Sequence, residues 1–438
     1  MTHSLSIPEA RVHPERESLY QELHARPFPI IEHTGHITHL ALLLTESERE
    51  ADYRHLVDLC QRYGVHPPDR EATSFNQALG DIQLRWERHL EFVTYTFMRD
   101  RTSGAPFENS AWALLPQSWI AGFPGLLVAA FHLDLVDSGQ ADWSREALAD
   151  AFEGHRLIQA SLGQGAATLI SAFRLHGDGF GRFLMHSEGL RPSQLGRLVQ
   201  RLLELETYRL MALLSTKLAR EMAPVLGAMD TQLADIITRL SQEAELNEEQ
   251  ALLTELTSMA ARIEQERART TSRFGATRAY YELVQSRLTE LEEVQSGRNF
   301  TLHDFFHRRL TPSVNTCEAV ALRLEDIARR IERASDLIRT RVDLKLEAQN
   351  RNLLASMNRR SRLQLRLQET VEGLSIAAIS YYSVSLLGYL FAALESTWPA
   401  FSATWATAAS IPVVVGSIWW ITRRIKRLII NAEEPGTR

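Results

Sequence analysis

LSIAAISYYSVSLLGYLFAAL (374–394) and ATWATAASIPVVVGSIWWI (403–421) contain no charged residue, and together they decide how this chain is built. At 1.5 Å per residue the first stretch spans about 31 Å as a helix, close to the thickness of a bilayer's hydrocarbon core. Only the short linker ESTWPAFS separates the two stretches. The pattern predicts a transmembrane hairpin, and the alternative is an apolar hairpin buried inside a soluble fold.

Basic residues flank both ends of this hairpin, whereas the linker carries only Glu395. The flanking residues are Arg359, Arg360, Arg362 and Arg366 before it, and Arg423, Arg424, Lys426 and Arg427 after it. Because Lys and Arg concentrate on the cytoplasmic side of membrane spans, we expect a multi-pass protein of the bacterial inner membrane with both termini in the cytoplasm. Residues 423–438 then form a basic cytoplasmic tail.

Charge, cysteine content and the N-terminal sequence limit the classes of protein to which this chain can belong. The chain has 438 residues and a net charge of −6, so no basic footprint points to nucleic acid. Cys60 and Cys317 are far apart and lack CxxC spacing, which predicts reduced thiols. The N-terminal residues lack the apolar segment of a signal peptide, so the hairpin is the expected membrane-targeting element.

Residues 1–190 are predicted to form a cytoplasmic α+β domain. Alternating or continuous apolar patterns bounded by turn residues predict strands, and helical periodicity predicts a helix. The strands are expected at 36–44, 81–88, 91–99, 125–136, 167–177 and 181–189, and the helix at 46–64. The segments 81–88 and 91–99 read as a β-hairpin, and HGDGFG (176–181) reads as the turn of another.

Residues 191–372 are predicted to form long antiparallel helices of coiled-coil type. One helix is expected at about 243–296, with Gly275 as a point of weakness, and another from Ser313 to Glu372 and onward into the first span. Apolar residues of the latter are spaced alternately four and three: Val320, Leu324, Ile327, Ile331, Ala334 and Ile338, followed less strictly by Val342, Leu346, Leu353 and Met357. This stripe predicts a coiled-coil seam and a homo-oligomer.

The segment YQELHARPFP (20–29) is the densest polar cluster of the first domain. Glu22, His24 and Arg26 precede two prolines that favour extended backbone, and in a strand they share one face. A carboxylate, an imidazole and a guanidinium that converge can bind an anion or transfer a proton. The other interpretation is a structural clamp in which the three groups satisfy one another.

A second polar cluster lies in RWERHLEF (85–92). Strand alternation puts Arg85, Glu87, His89 and Glu91 on one side of the predicted hairpin. A solvated face of ion pairs is the common reason for such a pattern. The alternative is a site shared with His24 and Arg26.

Cofactor and metal patterns are weak. The chain has no GxxxxGK[ST] loop and no GxSxG motif, so no cofactor is expected. His36 and His39 point to opposite faces of a strand, and His303 and His307 lack the Glu of HExxH, so no metal site is expected. Ser375, Tyr381 and Tyr382 in the first span, and Glu372 at its border, are candidate positions for lining a pore, or for holding helices together.

Six segments of the sequence match a known pattern: ELHARPFP (22–29), RWERHLEFVTYTF (85–97), LLELETYRLMAL (202–213), RRLTPSVNTCEA (308–319), RTRVDLKLEAQNRNLLASMNRR (339–360) and QLRLQETVEGLSIAAISYYSV (364–384). In these segments the chain resembles a bacterial domain-of-unknown-function family of uncharacterised membrane-anchored proteins. The resemblance implies no catalytic residue. The order of parts is also similar to that of CorA-type magnesium transporters, although GYLFAALESTW lacks their Gly-Met-Asn signature after the first span.

These patterns favour an oligomeric scaffold or regulatory module held at the lipid bilayer, and they lean against an enzyme. A CorA-like channel or transporter for an ion is the first alternative. An enzyme with a site around His24 and Arg26 is the second. Partners beyond the bilayer and a second copy, whether an ion or another protein, are not specified by the sequence.

Overall fold

The computed structural model describes residues 13, 15–16, 20, 28–32, 34–100, 104–137, 143–242, 245–295, 300–397 and 402–432. The chain divides into two compact units. We call residues 1–243 and 254–335 the sheet unit, and residues 244–253 and 336–438 the helical unit.

An eight-stranded sheet is the centre of the described part of the sheet unit. Its strands are β1 Gly35–Leu43, β2 Ser74–Leu79, β3 Ile82–Arg88, β4 Phe92–Asp100, β5 Leu126–Asp137, β6 Ile158–Leu162, β7 Ala167–Leu175 and β8 Gly181–Ser187. The spatial order is β2-β3-β4-β1-β5-β8-β7-β6, and neighbours are antiparallel except for the parallel pair β5–β8. The predicted α+β class and both predicted hairpins are confirmed, whereas β2 and β6 were not predicted.

One face of the sheet is covered by helix α1, Arg49–Arg62. Trp86, Tyr95 and Phe97 are fully buried beneath it because strand alternation sends all three side chains to this face. Asp52 of α1 accepts hydrogen bonds from the Tyr95 hydroxyl at 2.7 Å and the Trp86 indole at 3.3 Å. Burial raises the pKa of the Asp52 carboxyl to about 6, against the lowering effect of these two donors.

The opposite face of the sheet is covered by helix α4, Pro192–Leu213. Phe131 and Phe183 of the sheet share a core with Leu198 and Val199 of this helix. The proline at the helix start suits a position whose N–H has no intrahelical partner. The sheet is therefore covered on both faces, and polar groups beneath α4 are shielded from water.

Long helices follow the sheet, as predicted. The remaining helices are α2 Gln117–Ile120, α3 Arg145–Ala151, α5 Ser215–Leu240, α6 Leu246–Glu290, α7 Leu302–Arg309, α8 Thr311–Thr397 and α9 Ala403–Ala432, with 3-10 turns at Glu46–Glu48, Ala111–Leu114 and Gly163–Gly165. Ion pairs join Arg287 to Glu204, Arg269 to Glu221 and Arg239 to Glu255. Since one partner's number falls as the other's rises, α6 runs antiparallel to α4 and α5, and Gly275 does not interrupt it.

The predicted coiled-coil stripe on α8 is buried within the chain itself. In the sheet unit, Val320, Leu324, Ile327, Ile331 and Ala334 are all buried. Asp230 of α5 fixes this stretch by pairing with Arg323 at 2.6 Å and Arg330 at 2.8 Å. Because the chain's own helices cover this part of the stripe, the spacing from Val320 to Ala334 carries no argument for an oligomer.

In the helical unit, burial ends soon after the start of the α8 portion. Ile338 and Val342 are buried, and Lys345 pairs with Glu249 at 2.8 Å. Beyond them most of α8 is exposed, including Leu346 and Leu353. Two helices of the described residues are long and apolar enough to cross a membrane, and only 6% and 0% of their most apolar windows are buried.

Candidate functional site

A small pocket lined by both polar and apolar side chains lies in the sheet unit between the sheet and helix α4. We call it the Arg85 pocket. The side chains that line it come from alternate positions on β1, β3 and β4 and from one stripe of α4. They are Pro29, His39, Arg85, Glu87, His89, Phe92, Thr94, Thr96, Met98, Val199, Gln200, Leu203, Glu204, Thr207 and Tyr208, around a cavity of about 30 Å³. A cavity of this size holds a few water molecules or a small polar group.

Three of the predicted site residues meet in this pocket. Arg85 Nη2 lies 2.9 Å from Glu87 Oε1, and the two side chains are only 10% and 13% exposed. His89, at the end of the strand, stacks on Phe92 with ring centroids 4.1 Å apart. The interpretation of this cluster as a solvated face is therefore wrong for Arg85 and Glu87, because α4 covers that face of the sheet. Glu91 lies outside the pocket lining and pairs with Arg273 at 2.9 Å.

The strand register places a row of polar residues across the floor of the pocket. Arg85 of β3 is opposite Thr96 of β4, and Thr96 is opposite His39 of β1. His39 Nδ1 lies 2.8 Å from the Thr96 hydroxyl, and His39 Nε2 lies 3.1 Å from the hydroxyl of Thr207 on α4. Burial, reinforced by the charges of His89 and Arg85, lowers the pKa of His39 to about 3. His39 is therefore neutral at physiological pH and holds α4 to the sheet.

Among the described residues, two polar atoms in the pocket wall are found without a hydrogen-bond partner. They are the Thr94 hydroxyl oxygen and Oε1 of Gln200, both fully buried. The amide nitrogen of Gln200 donates to the Glu204 carboxylate at 2.8 Å, which leaves the amide oxygen as the atom of this side chain without a partner. A buried unpaired polar atom costs stability, and such atoms are rare in native proteins. The pocket therefore offers unsatisfied hydrogen-bonding groups next to the Arg85 guanidinium.

The segment after the ELHARPFP motif lies against the start of α4. A Cβ built on Gly196 would come within 1.7 Å of the Pro29 carbonyl oxygen, so this helix position has to be glycine for the segment to lie there. The Ile31 amide donates to the Pro192 carbonyl at 3.3 Å. Because Pro29 also lines the Arg85 pocket, the end of the motif contributes to its rim.

The other predicted site residues do not lie at this pocket within the described ranges. Glu22, His24 and Arg26 fall outside the residues that the structure describes. On α8, the Ser375 hydroxyl donates to the Val371 carbonyl of its own helix at 2.8 Å. Tyr381 and Tyr382 are exposed, with their rings 5.7 Å apart, and Glu372 lies half-buried one turn before Ser375.

Sequence reasoning missed the residues that α4 contributes. Gln200, Glu204 and Thr207 follow one another at spacings of four and three, which is one face of a helix. Glu204 and Thr207 lie within the strongly apolar run LLELETYRLMAL (202–213), and Gln200 lies just before it, so the apolar residues dominate the pattern of this helix. A polar stripe beside an apolar one on a buried helix was the available signal.

Comparison with known proteins places the chain in a family. An α+β sheet unit that continues into long helices and a C-terminal apolar helix defines its class of architecture. The family model described as "Protein of unknown function (DUF3422)" matches residues 11–429, and the chain belongs to this family.

No curated protein matches the chain. A solved structure described as "structure of the full-length CmaX protein" is 15% identical and covers 71% of this chain and 93% of its own. Its TM-score of 0.17 is too low to support an argument about fold or function.

Proposed function

We propose that this protein is a membrane-anchored regulatory module, with the C-terminal helices in the bilayer and the sheet unit in the cytoplasm. The observation that carries the proposal is the exposure of apolar surface in the helical unit, where 6% and 0% of the two most apolar windows are buried. The core helix of a soluble protein would bury such a face. Exposed apolar patches of this extent mark membrane or partner contacts.

Contacts within the helical unit support a hairpin inserted from the cytoplasmic side. A Cβ built on Gly388 would lie 3.7 Å from the Thr407 methyl, so α8 and α9 approach closely at a small residue, as membrane helices do. Arg423 lies over the Trp419 ring at 4.9 Å, and Arg424 over the Trp420 ring at 5.1 Å. Tryptophan with arginine is a typical interfacial anchor, and the arginines favour the cytoplasmic side.

The Arg85 pocket supplies the regulatory half of the proposal. Its guanidinium and its unpaired Thr94 and Gln200 oxygens suit a small polar ligand with an anionic group and a hydrogen-bond donor. A ligand there contacts both the sheet and α4, so its binding stabilises the junction between them. This arrangement binds without requiring a reaction, which favours a module that senses a ligand over an enzyme.

The exposed part of α8 supports a homo-oligomer through the later, less strictly spaced part of the predicted seam. Leu346, Leu353 and Met357 follow one another at spacings of seven and four and are exposed in the single chain. A long helix with few packed neighbours is marginal in water, so association along this face would stabilise it. A CorA-like ion pathway remains a prediction that no observation on this chain favours.

Membrane attachment is tested by fractionation. We expect the full chain to remain in membranes washed with alkaline carbonate, and a chain that ends at Asn358 to be soluble and folded. A truncated chain that stays folded yet sediments with washed membranes would show that the anchor lies elsewhere.

Ligand binding in the pocket is tested by thermal shift of the detergent-purified full chain with hydrogen carbonate and phosphate, anions that also carry an O–H donor for the Gln200 oxygen. A ligand that binds the folded state raises the melting temperature. Gln200→Met should abolish the rise by removing the unpaired oxygen. The matched control is Gln285→Met, which changes a half-buried glutamine with an unpaired nitrogen outside the pocket lining. Equal shifts in both variants would contradict a site at Gln200.

A further inference from the structure

A second and larger cavity of about 890 Å³ lies in the sheet unit, away from the Arg85 pocket. It opens where β6 begins, because Ile158, the first residue of β6, pairs with Ser171 while β7 continues to Leu175 without a partner from β6. Helix α7 forms the opposite wall. We call it the arginine groove, and it is lined by Leu148, Gly154, His155, Arg156, Leu157, Ile158, Gln159, Ile170, Ala172, Phe173, Arg174, Phe300, Asp304, Phe305, Arg308 and Arg309.

Four arginines line this groove from three separate elements. Arg156 comes from the loop before β6, Arg174 from β7, and Arg308 and Arg309 from the end of α7. Each is exposed, and none forms an ion pair with a carboxylate among the described residues, although most other arginines of the sheet unit do. Four unpaired guanidinium groups around one groove make a site for an anion, since guanidinium forks match phosphate oxygens in geometry and charge.

Aromatic rings line the same groove beside the arginines. Phe300 is 59% exposed and lies under the Arg308 guanidinium at 4.6 Å, and Phe305 lies under Arg309 at 5.1 Å. An exposed ring that is held by a cation presents one free face to the groove. Planar ligand rings stack on such faces.

Backbone strain also occurs at this groove. Phe173 has a φ of 50°, a value that L residues rarely adopt, and it lies in a bulge of β7 where the register to β8 shifts. The Ser171 hydroxyl accepts a hydrogen bond from the Phe173 N–H at 3.0 Å, which holds the bulge in place. The bulge brings Phe173 against Phe305, with ring centroids 5.2 Å apart. Strain of this kind persists where the surrounding structure imposes it, and it concentrates at functional sites.

We propose that the arginine groove binds a nucleotide, that is, a small organic phosphate with a planar ring. The arginines contact the phosphate oxygens, Phe300 stacks on the ring, and the half-buried Asp304 carboxylate accepts a hydrogen bond from a sugar hydroxyl or ring amino group. The cavity volume falls within the roughly 300–1,000 Å³ of small-molecule sites. An acidic peptide would pair with the arginines but would give no role to the exposed Phe300 ring. This site requires no P-loop, because side chains replace the backbone amides of that motif.

Equilibrium dialysis of the detergent-purified full chain tests the proposal, with ATP, AMP, pyrophosphate, adenosine and hexaglutamate as probes. We expect ATP to bind at least about tenfold more tightly than either pyrophosphate or adenosine, because each of these lacks one half of the recognised chemistry. Hexaglutamate that binds as tightly as ATP would overturn the assignment in favour of an acidic peptide. Pyrophosphate that binds as tightly as ATP would overturn the role of the ring.

Substitutions in the groove test phosphate binding by the arginines separately from ring binding by Phe300. Arg174→Ala and Arg308→Ala should each weaken ATP binding by about tenfold, and Arg308→Lys should restore part of it. Phe300→Ala should weaken ATP binding and leave pyrophosphate binding unchanged. The control is Arg262→Ala, which removes an exposed arginine of α6 outside the groove lining.

All of these side chains are exposed, so we expect the melting temperatures of the variants to match that of the parent chain. If Arg174→Ala and Arg308→Ala leave the ATP affinity unchanged, the proposal is overturned. It is also overturned if Arg262→Ala lowers the ATP affinity as much as these two substitutions do, because that result would show a diffuse charge effect. Since the Arg85 pocket is tested with Gln200→Met, failure of one site leaves the other standing.

Discussion

Replacing Gly196 by alanine tests whether the Pro29 segment is seated on helix α4. The added Cβ would lie 1.7 Å from the Pro29 carbonyl oxygen and 2.8 Å from its carbon. Ordinary contact is about 3.5 Å, so the carbonyl oxygen has to retreat by about 1.8 Å. Overpacking of this kind costs about 1–3 kcal/mol, and the neighbouring hydrogen bond from Ile31 to Pro192 adds about 1 kcal/mol if it breaks.

Gly227→Ala is the matched control, because a Cβ at this glycine of α5 meets no atom within 4 Å. Alanine is favoured over glycine inside a helix by about 1 kcal/mol, and both variants gain this term. The difference between them therefore isolates the contact with Pro29, and we expect Gly196→Ala to be less stable than Gly227→Ala by about 1–3 kcal/mol.

Urea unfolding followed by tryptophan fluorescence measures this difference, since Trp86 and Trp119 are buried in the sheet unit. Hydrogen exchange of the Ile31 amide gives a local readout, and we expect it to quicken only in Gly196→Ala. If Gly196→Ala is as stable as Gly227→Ala and the Ile31 amide keeps its protection, the segment does not lie against α4 and Pro29 does not form part of the rim of the Arg85 pocket.

Three further predictions concern buried groups. Burial raises the pKa of Asp52 from 3.8 to about 6 in the folded protein, so the folded state binds the proton more tightly than the unfolded chain does. The free energy of unfolding therefore falls by about 3 kcal/mol as pH rises from about 4 to about 7. Asp52→Asn should remove this loss in urea titrations at several pH values, and an unchanged pH slope would contradict it. Burial lowers the pKa of His39 from 6.5 to about 3 in the folded protein, so the unfolded chain binds the proton more tightly than the folded state does. The free energy of unfolding is therefore highest above about pH 6.5 and falls by about 2 kcal/mol by about pH 5. His39→Gln should flatten this acid limb, and a slope equal to that of the parent chain would show that His39 is solvated. Ile331→Ala should lower the free energy of unfolding by about 2–5 kcal/mol because Ile331 is buried. Leu353→Ala, at an exposed position of α8, should leave the unfolding of the sheet unit unchanged and should weaken the oligomer, as measured by light scattering. Equal costs from both would contradict burial of the stripe within one chain.

The strands that the sequence predicted are the inner ones, and the strands that it missed are the two edges of the sheet. β1 and β5 are largely apolar because both their faces are covered, and such runs are visible in a sequence. β2 reads SFNQAL and β6 reads IQASL, short and half polar, as edge strands commonly are. Their place is fixed by pairing with β3 and β7, which periodicity does not encode.

The candidate site shows a similar division. Strand alternation was enough to place Arg85, Glu87 and His89 on one side, but their burial comes from α4, more than a hundred residues further along the chain. Spacing likewise identified the apolar stripe through Ile331, yet a heptad pattern does not say whether its partner is another chain or the chain's own helices. In this protein the partner includes α5, which lies against α8 at Asp230.

The central claim is that the apolar helices cross a bilayer and leave the sheet unit in the cytoplasm. Cysteine labelling with a membrane-impermeant maleimide tests it most directly, because the native Cys60 and Cys317 are buried and give little background. In intact spheroplasts we predict labelling of Ser402→Cys, between α8 and α9, and none of Asn358→Cys until the membrane is permeabilised. Labelling of Asn358→Cys in intact spheroplasts, or none of Ser402→Cys, would contradict this topology.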